Sequence, residues 1–140
     1  MNVKIRTMEL VDVESSIDLW KNTKGLGLGN IDTVEHLSLH IKMNFKHNFI
    51  AFANNRIVGT VLGGYDGRRG YIYHLAVDEN YRKRNIGREL MENCFRSFRE
   101  VNVEKCHMMV FKANRSAQDF YESIGCKLRD DVVVFTKTIQ

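Results

Sequence analysis

The 140-residue chain is long enough for one domain with a proper hydrophobic core and too short for a second. Its 44% hydrophobic and 27% charged residues exclude a disordered chain, and the absence of proline excludes a proline-rich linker. The formal charge of +4 is mild, and its positive side chains concentrate at Arg82, Lys83, Arg84 and Arg88. Localised charge of this kind favours a small anionic ligand over a nucleic acid, which usually needs a whole basic face or helix.

The number of cysteines and the hydropathy of the chain indicate the cellular compartment. The three cysteines are an odd number without CxxC spacing, so the sequence predicts neither a disulfide framework nor a zinc site. The N-terminal residues mix charged and apolar side chains, and no apolar run approaches the ~18 residues that span a membrane. We therefore expect a cytoplasmic protein in a reducing compartment, with no metal and no membrane contact.

The first third of the chain predicts one strand and two helices. Residues 3–8 alternate apolar and polar side chains, as a strand does, and residues 11–20 carry acidic side chains before an apolar helical pattern. Three glycines within residues 25–30 end that helix in a loop. A second helical pattern starts at Asp32 or Thr33 and continues to Phe45.

The middle of the chain changes to an extended period. Residues 48–53 and 57–65 flank the turn pair Asn54-Asn55, and residues 71–77 follow another turn, so three consecutive antiparallel strands are predicted. An amphipathic helix follows from Ile86 to Val101. The remaining predicted elements are a strand at 105–111, a short helix at 114–124 and a final extended segment at 127–138. This order predicts a mixed α+β sheet.

Residues 73–88 join a buried strand, a basic loop and the start of the long helix. The N–H groups at a helix N-terminus point outward and the helix dipole adds partial positive charge, so the arrangement favours an anion. Gly87 allows close approach of a bulky phosphate, and Asn85 suits both an N-cap and a positive φ. We predict a phosphate-like ligand here; the alternative is a solvated basic turn.

Residues 114–125 read NRSAQDFYESIG and predict a short helix capped by Asn114. Its inner face carries Ala117, Phe120, Tyr121 and Ile124, so the Tyr121 hydroxyl can point inward. Taken alone, an inward tyrosine is typical of a core residue with one satisfied hydrogen bond.

Together, the two stretches resemble the GNAT acyl-CoA N-acyltransferases. The resemblance rests on the strand end Leu75-Ala76-Val77, on residues 82–87, which match a Q/R-x-x-G-x-G/A loop, and on residues 114–125, which match an N-x-x-A-x-x-x-Y-E-x-x-G helix. Residues 59–67 resemble the small bacterial stand-alone members of YpeA type. The resemblance covers essentially the whole chain as a single domain of residues 1–140. It implies the family's α+β fold, a central mixed, mostly antiparallel sheet of about six or seven strands flanked by about four helices.

The resemblance also implies roles for the residues that match the family's motifs. The loop N–H groups would hold the CoA pyrophosphate, the Leu75 N–H would polarise the thioester carbonyl, and Tyr121 would protonate the departing thiolate. Asn114 would hydrogen-bond the cofactor. The implied contacts of acetyl-CoA are Leu75, Ala76, Val77, Arg82, Lys83, Arg84, Asn85, Ile86, Gly87, Arg88, Asn114 and Tyr121. Asn85 stands where the family usually has glycine, and its side chain narrows the approach of the ligand.

The sequence does not clearly identify a general base for the acceptor amine. Many family members carry a glutamate at the positions of Tyr71 and Met109, and neither residue here can take a proton at neutral pH. His74 is the best substitute because imidazole titrates near neutral pH. Alternatively, His74 has a purely structural role and forms hydrogen bonds between a strand and a helix. Glu79 and His107 are weaker candidates.

The function implied by the resemblance is transfer of an acetyl group from acetyl-CoA to a primary amine by direct attack in a ternary complex. The missing carboxylates leave open a non-catalytic acyl-CoA-binding or regulatory module. No pattern separates a small-molecule amine from a protein amine as acceptor. Homodimers are common in the family, but no segment indicates an interface, and neither nucleic acid nor membrane is expected as a partner.

Overall fold

The computed structural model describes residues 2–140. They form two compact units, one ending at Met109 and the other comprising Val110–Gln140. Within the described residues, the first unit holds five strands and three α-helices, and the second holds one α-helix. In chain order the elements are β1 (Lys4–Thr7), α1 (Val13–Lys21), α2 (Val34–Met43), β2 (Asn48–Ala53), β3 (Arg56–Tyr65), β4 (Gly70–Val77), α3 (Ile86–Glu100), β5 (Cys106–Met108) and α4 (Arg115–Ser123).

The strands form one sheet in the order β1-β2-β3-β4-β5, antiparallel throughout except for the parallel pair β4 and β5. The predicted α+β class and the mostly antiparallel sheet are confirmed. The described residues contain five strands rather than six or seven, because the predicted extended segment at 127–138 forms no strand. The backbone groups of a strand need hydrogen-bond partners on a neighbouring strand. The described part of the second unit contains no strand that could pair with this segment.

The β2–β3 hairpin follows directly from its turn residues. Asn54 and Asn55 have φ of 51° and 60°, the left-handed pair that a two-residue type I′ turn requires. Asparagine tolerates this conformation better than most residues, so the predicted hairpin is confirmed with its boundaries shifted by one residue at most.

Each face of the sheet is covered by helices. On one face, α1 and α2 pack against β2 and β3 around a core that includes Trp20, Ile50 and Leu62. On the other face, α3 lies close to the sheet because β3 and β4 present glycine there. A methyl group added at Gly59 would lie 3.0 Å from the Leu90 side chain, and one at Gly70 would lie 3.0 Å from the Phe98 ring.

The two helices beside the predicted motifs begin as expected, with one correction. Asn114 caps α4, since its side chain accepts a hydrogen bond from the Ala117 N–H at 3.1 Å. Asn85 occupies the N-cap position of α3 with φ of 63°, but its side chain makes no capping hydrogen bond. Asn85 therefore supplies the left-handed turn that was predicted and does not supply the cap.

No helix within residues 2–140 is both long enough and apolar enough to cross a membrane.

Candidate active site

The backbone of β4 presents an unpaired edge beside Leu75. β5 pairs with β4 only from Gly70 to Ile72, so the two strands part before Leu75. On the other side, the Asp78 N–H donates to the Val58 carbonyl at 2.8 Å. Because hydrogen-bonded pairs alternate along an antiparallel ladder, the backbone groups of Leu75 and Val77 point away from β3. The Leu75 N–H thus faces the gap between β4 and β5.

The basic loop ends in two left-handed residues and the start of α3. Lys83 and Asn85 have φ of 62° and 63°. The first hydrogen bond within the helix runs from the Glu89 N–H to the Asn85 carbonyl at 3.0 Å, so the N–H groups of residues 86–88 precede the helical ladder. The side chains of Arg82, Lys83, Arg84 and Arg88 are exposed around this helix end. The loop therefore combines outward N–H groups with four cationic side chains.

Tyr81 anchors the loop to the β2–β3 hairpin. It is buried, its hydroxyl accepts a hydrogen bond from the Asn54 side chain at 3.1 Å, and the guanidinium groups of Arg56 and Arg84 lie 5.7 Å and 5.3 Å from its ring centre. Arg56 also pairs with Asp78 at 2.6 Å. These contacts fix the position where β4 passes into the loop.

A β-bulge in β4 brings two consecutive side chains to one face of the sheet. Leu62 pairs with His74 and Gly63 pairs with Ile72, which leaves Tyr73 as the extra residue. Tyr73 packs over Gly64, where an added methyl group would lie 2.6 Å from its ring. Tyr73 and His74 therefore both face the side covered by α1 and α2, next to the Leu75 edge.

His74 is held by two neighbours on that face. Its ring stacks on Trp20 at 4.7 Å and 5°, and its Nε2 lies 2.8 Å from the Asp32 Oδ1. The Trp20 Nε1–H in turn donates to the Thr60 hydroxyl at 2.8 Å. The other ring nitrogen, Nδ1, is buried and has no hydrogen-bond partner within residues 2–140.

A second histidine lies nearby and is neutral. The His40 Nε2 lies 3.0 Å from both the Asn48 side-chain oxygen and the Gly63 carbonyl, so it carries a hydrogen. Burial lowers the pKa of His40, and the charge of a protonated His74 lowers it further. The edge of the His40 ring contacts Tyr73 at 5.6 Å. His40 therefore acts as a hydrogen-bonding support for the bulge.

Asn114 and Tyr121 lie in the second unit, on α4. The four predicted inner-face residues of this helix, including Tyr121, are half-buried, and most of its other residues are exposed. The Tyr121 ring contacts Phe120 at 5.3 Å, and the Tyr121 carbonyl accepts from the Cys126 N–H at 3.0 Å. The helix face is as predicted, without a fully buried residue.

The remaining base candidates differ in their surroundings. Met109 is 75% exposed just beyond β5, and Glu79 is exposed in a 3₁₀ turn. The His107 ring lies 6.0 Å from Tyr71. Asp32 was not singled out by the sequence, because it is 42 positions from His74 and belongs to no recognisable motif.

Comparison with known proteins decides the family. The acetyltransferase (GNAT) family model matches residues 17–126. The chain belongs to the GNAT acetyltransferase family. The enzyme is 29% identical over 140 residues to a curated acetyltransferase of Pectobacterium atrosepticum, with 99% of the chain and 97% of that protein covered. It is therefore a small bacterial-type acetyl-CoA-dependent N-acetyltransferase.

Solved structures support the same fold. The enzyme is similar to an aminoglycoside acetyltransferase from an uncultured soil metagenomic sample, solved with trehalose, at a TM-score of 0.73, 27% identity and coverage of 99% and 97% of the two chains. It is also similar to the PaiA N-acetyltransferase of Thermoplasma acidophilum, solved with coenzyme A, at a TM-score of 0.82, 20% identity and coverage of 93% and 92%.

Proposed function

We propose that the enzyme acts as a single catalytic domain of residues 1–140 and acetylates a primary amine by direct attack on acetyl-CoA in a ternary complex. The observation that carries this proposal is the edge of β4 beyond Ile72. There the Leu75 N–H faces the gap left by β5 and can donate to the thioester carbonyl. A preorganised donor at this place stabilises the negative charge that develops on the carbonyl oxygen during attack.

The rest of the acetyl-CoA site follows the chain from this edge. Within residues 75–77, Leu75 and Val77 offer outward backbone groups that a pantetheine arm can pair with, as an added strand does. The N–H groups of residues 83–88 and their basic side chains suit the pyrophosphate, because a helix N-terminus and cationic groups both favour an anion. The Val77 carbonyl already accepts from the Arg82 Nε at 3.2 Å, which keeps Arg82 at the junction of the two parts.

Tyr121 is the proposed acid. A phenol can give its proton to the thiolate that leaves when the carbon–sulfur bond breaks. Asn114 is the proposed hydrogen-bond partner of the cofactor from the start of the same helix, through the amide nitrogen that its capping bond leaves available.

His74 is the proposed base. At pH 7 a lysine-like amine of pKa ~10.4 is neutral in only about one molecule in 2,500, whereas an α-amine near 7.8 is neutral in roughly one in seven. A base beside the thioester edge therefore matters most for the first kind of acceptor. The positions where the family usually carries a glutamate hold Tyr71 and Met109, so another residue must supply the base. His74 is suitable because it lies on the same strand as Leu75.

The deciding experiment is a thiol-release assay with acetyl-CoA and a panel of amines. The panel holds a polyamine, an amino acid, a peptide with a free N-terminus and an aminoglycoside; the last is included because one 27% identical protein is an aminoglycoside acetyltransferase. We expect turnover with at least one class. Tyr121→Phe should lower kcat at least about tenfold, since general acids contribute about 10²–10⁴-fold, and leave the Kd for CoA within twofold.

Tyr65→Phe is the matched control, because it removes the same hydroxyl from a tyrosine at the end of β3, and it should leave kcat unchanged. A Tyr121→Phe enzyme with full activity would refute the acid. Tight CoA binding without turnover of any amine would instead favour a non-catalytic acyl-CoA-binding module.

A further inference from the structure

Asp32 is held by the loop that precedes α2 and reaches back to β4. Its Oδ2 accepts from the Gly29 N–H at 2.7 Å, and its own N–H donates to the Gly29 carbonyl at 3.1 Å. Its Oδ1 lies 2.8 Å from the His74 Nε2, and the two side chains are only 9% and 11% exposed. Both carboxylate oxygens therefore have fixed partners in a nearly buried pair.

This contact determines which nitrogen of His74 carries hydrogen. A carboxylate can only accept hydrogen bonds, so the His74 Nε2 must donate. In the neutral ring the lone pair then lies on Nδ1. Stacking on Trp20, which is itself fixed by its bond to Thr60, hinders the ring rotation that would exchange the two nitrogens.

Among residues 2–140, nothing donates a hydrogen bond to the Nδ1 lone pair of His74. Nδ1 is also buried. A buried acceptor without a donor costs about 1–3 kcal/mol, so an incoming donor at this atom is favoured. An ammonium group that reaches this atom, directly or through a water molecule, is such a donor.

We propose that Asp32 is a positioning residue that locks His74 in its Nε2–H tautomer, so that Nδ1 is the atom that takes the proton from the acceptor amine. The assignment rests on the proposed function. It adds a residue, Asp32, and names the accepting atom. It also ties the base to the loop before α2, because the same carboxylate closes the turn from Gly29 to Asp32.

Acetyl transfer begins with deprotonation of the acceptor amine. The acceptor R–NH₃⁺ gives one proton to Nδ1, directly or through one water, and the resulting imidazolium faces the Asp32 carboxylate. The freed lone pair forms the carbon–nitrogen bond at the thioester carbon while the carbon–sulfur bond breaks. The sulfur keeps that electron pair and takes a proton from Tyr121, which regains one from the acylated nitrogen. His74 releases its proton to solvent, so the products are R–NH–COCH₃, CoA–SH and H⁺.

The first test needs no variant. Long-range proton–nitrogen NMR of the ring-labelled, full-length enzyme reports which histidine nitrogen carries hydrogen, and the His74 signals are assigned by their loss in His74→Asn. We expect the Nε2–H tautomer at a pH where the ring is neutral. An Nδ1–H tautomer would overturn the proposal.

Asp32→Asn provides the second test. The asparagine oxygen can keep the bond from the Gly29 N–H, and its NH₂ group then faces Nε2 and requires a lone pair there. We expect the tautomer to switch to Nδ1–H and kcat for a lysine-like amine to fall at least about tenfold, with the Kd for CoA within twofold. Asp18→Asn, an exposed site on α1, is the matched control and should change neither property.

An Asp32→Asn enzyme that keeps the Nε2–H tautomer or full kcat would overturn the proposal and leave the acetyltransferase function intact. If Asp32→Asn does not fold, the tautomer of the native enzyme alone decides. The proposed amine acetylation fails separately, if the native enzyme turns over no amine in the panel.

Discussion

Gly63 and Gly64 are neighbours in β3, but their surroundings predict opposite tolerance of a methyl group. A Cβ at Gly63 would lie 2.5 Å from the His47 carbonyl oxygen and 2.7 Å from the Cys94 sulfur, and both neighbours are buried. A Cβ at Gly64 would lie 2.6 Å from the Tyr73 ring. Tyr73 is 52% exposed, so its ring can move away, whereas a backbone carbonyl in the core cannot.

The expected cost follows from these contacts. Overpacking a core costs about 1–3 kcal/mol, and the Gly63 contacts favour the upper end. Replacing glycine within a strand returns about 0.5–1 kcal/mol, so Gly63→Ala should lower the free energy of unfolding by about 2 kcal/mol. For a chain of this size that corresponds to a fall in Tm of roughly 6–10 °C. Gly64→Ala should change Tm by less than about 2 °C.

Differential scanning calorimetry and urea unfolding of both variants measure this difference. The pair is its own control, because the two substitutions are chemically identical and adjacent. A Gly63→Ala protein as stable as the native one, or a Gly64→Ala protein destabilised as much as Gly63→Ala, would refute the packing of α3 against β3 on which the estimate depends.

Two further predictions concern acid stability and the phosphate loop. Burial alone would raise the pKa of Asp12, but hydrogen bonds from Arg6 and the Glu9 N–H outweigh it and hold the pKa below its ordinary value. This stabilisation is present above the unfolded-state pKa and is lost as pH falls through the lower folded-state value. Asp12→Asn should therefore cost about 1–2 kcal/mol at pH 7, with Arg6 partly exposed, and the difference from the native protein in urea unfolding should shrink below about pH 4. A constant difference would contradict this. Asn85→Gly should tighten CoA binding in calorimetric titrations, because glycine keeps the left-handed turn without a side chain beside the helix end; an unchanged or weaker affinity would count against the proposed pyrophosphate position.

Local patterns predicted the fold well wherever the deciding interactions were local. The hairpin at Asn54-Asn55, the N-cap of α4 at Asn114 and the amphipathic α3 depend on turn chemistry and periodicity, and the structure confirms them. The segment at 127–138 was predicted as extended, but the structure forms no strand there. Whether such a segment becomes a strand depends on a partner edge elsewhere in the chain, which periodicity cannot indicate.

In the candidate site, too, only the features that depend on local sequence could be predicted. The outward backbone at Leu75 and the left-handed turn at Asn85 lie within recognisable motifs, so the sequence indicated both. The contact between Asp32 and His74 joins residues 42 positions apart, and no local pattern predicts it. The extra residue at Tyr73 also escaped prediction, because a bulge is defined by the strand opposite as much as by its own sequence.

The bulge has a consequence for how this chain is aligned with its relatives. Side chains alternate along a strand, so a one-residue length change normally reverses every position beyond it. Loss of Tyr73 would not reverse the facing of the other residues, because Tyr73 is the extra residue of the bulge. Removing this residue would leave Ile72 facing α3 and His74 facing α1, each beside its present β3 partner. A gap opposite Tyr73 therefore preserves the register of the whole sheet, and chains that differ in length here can still share the same arrangement around Leu75.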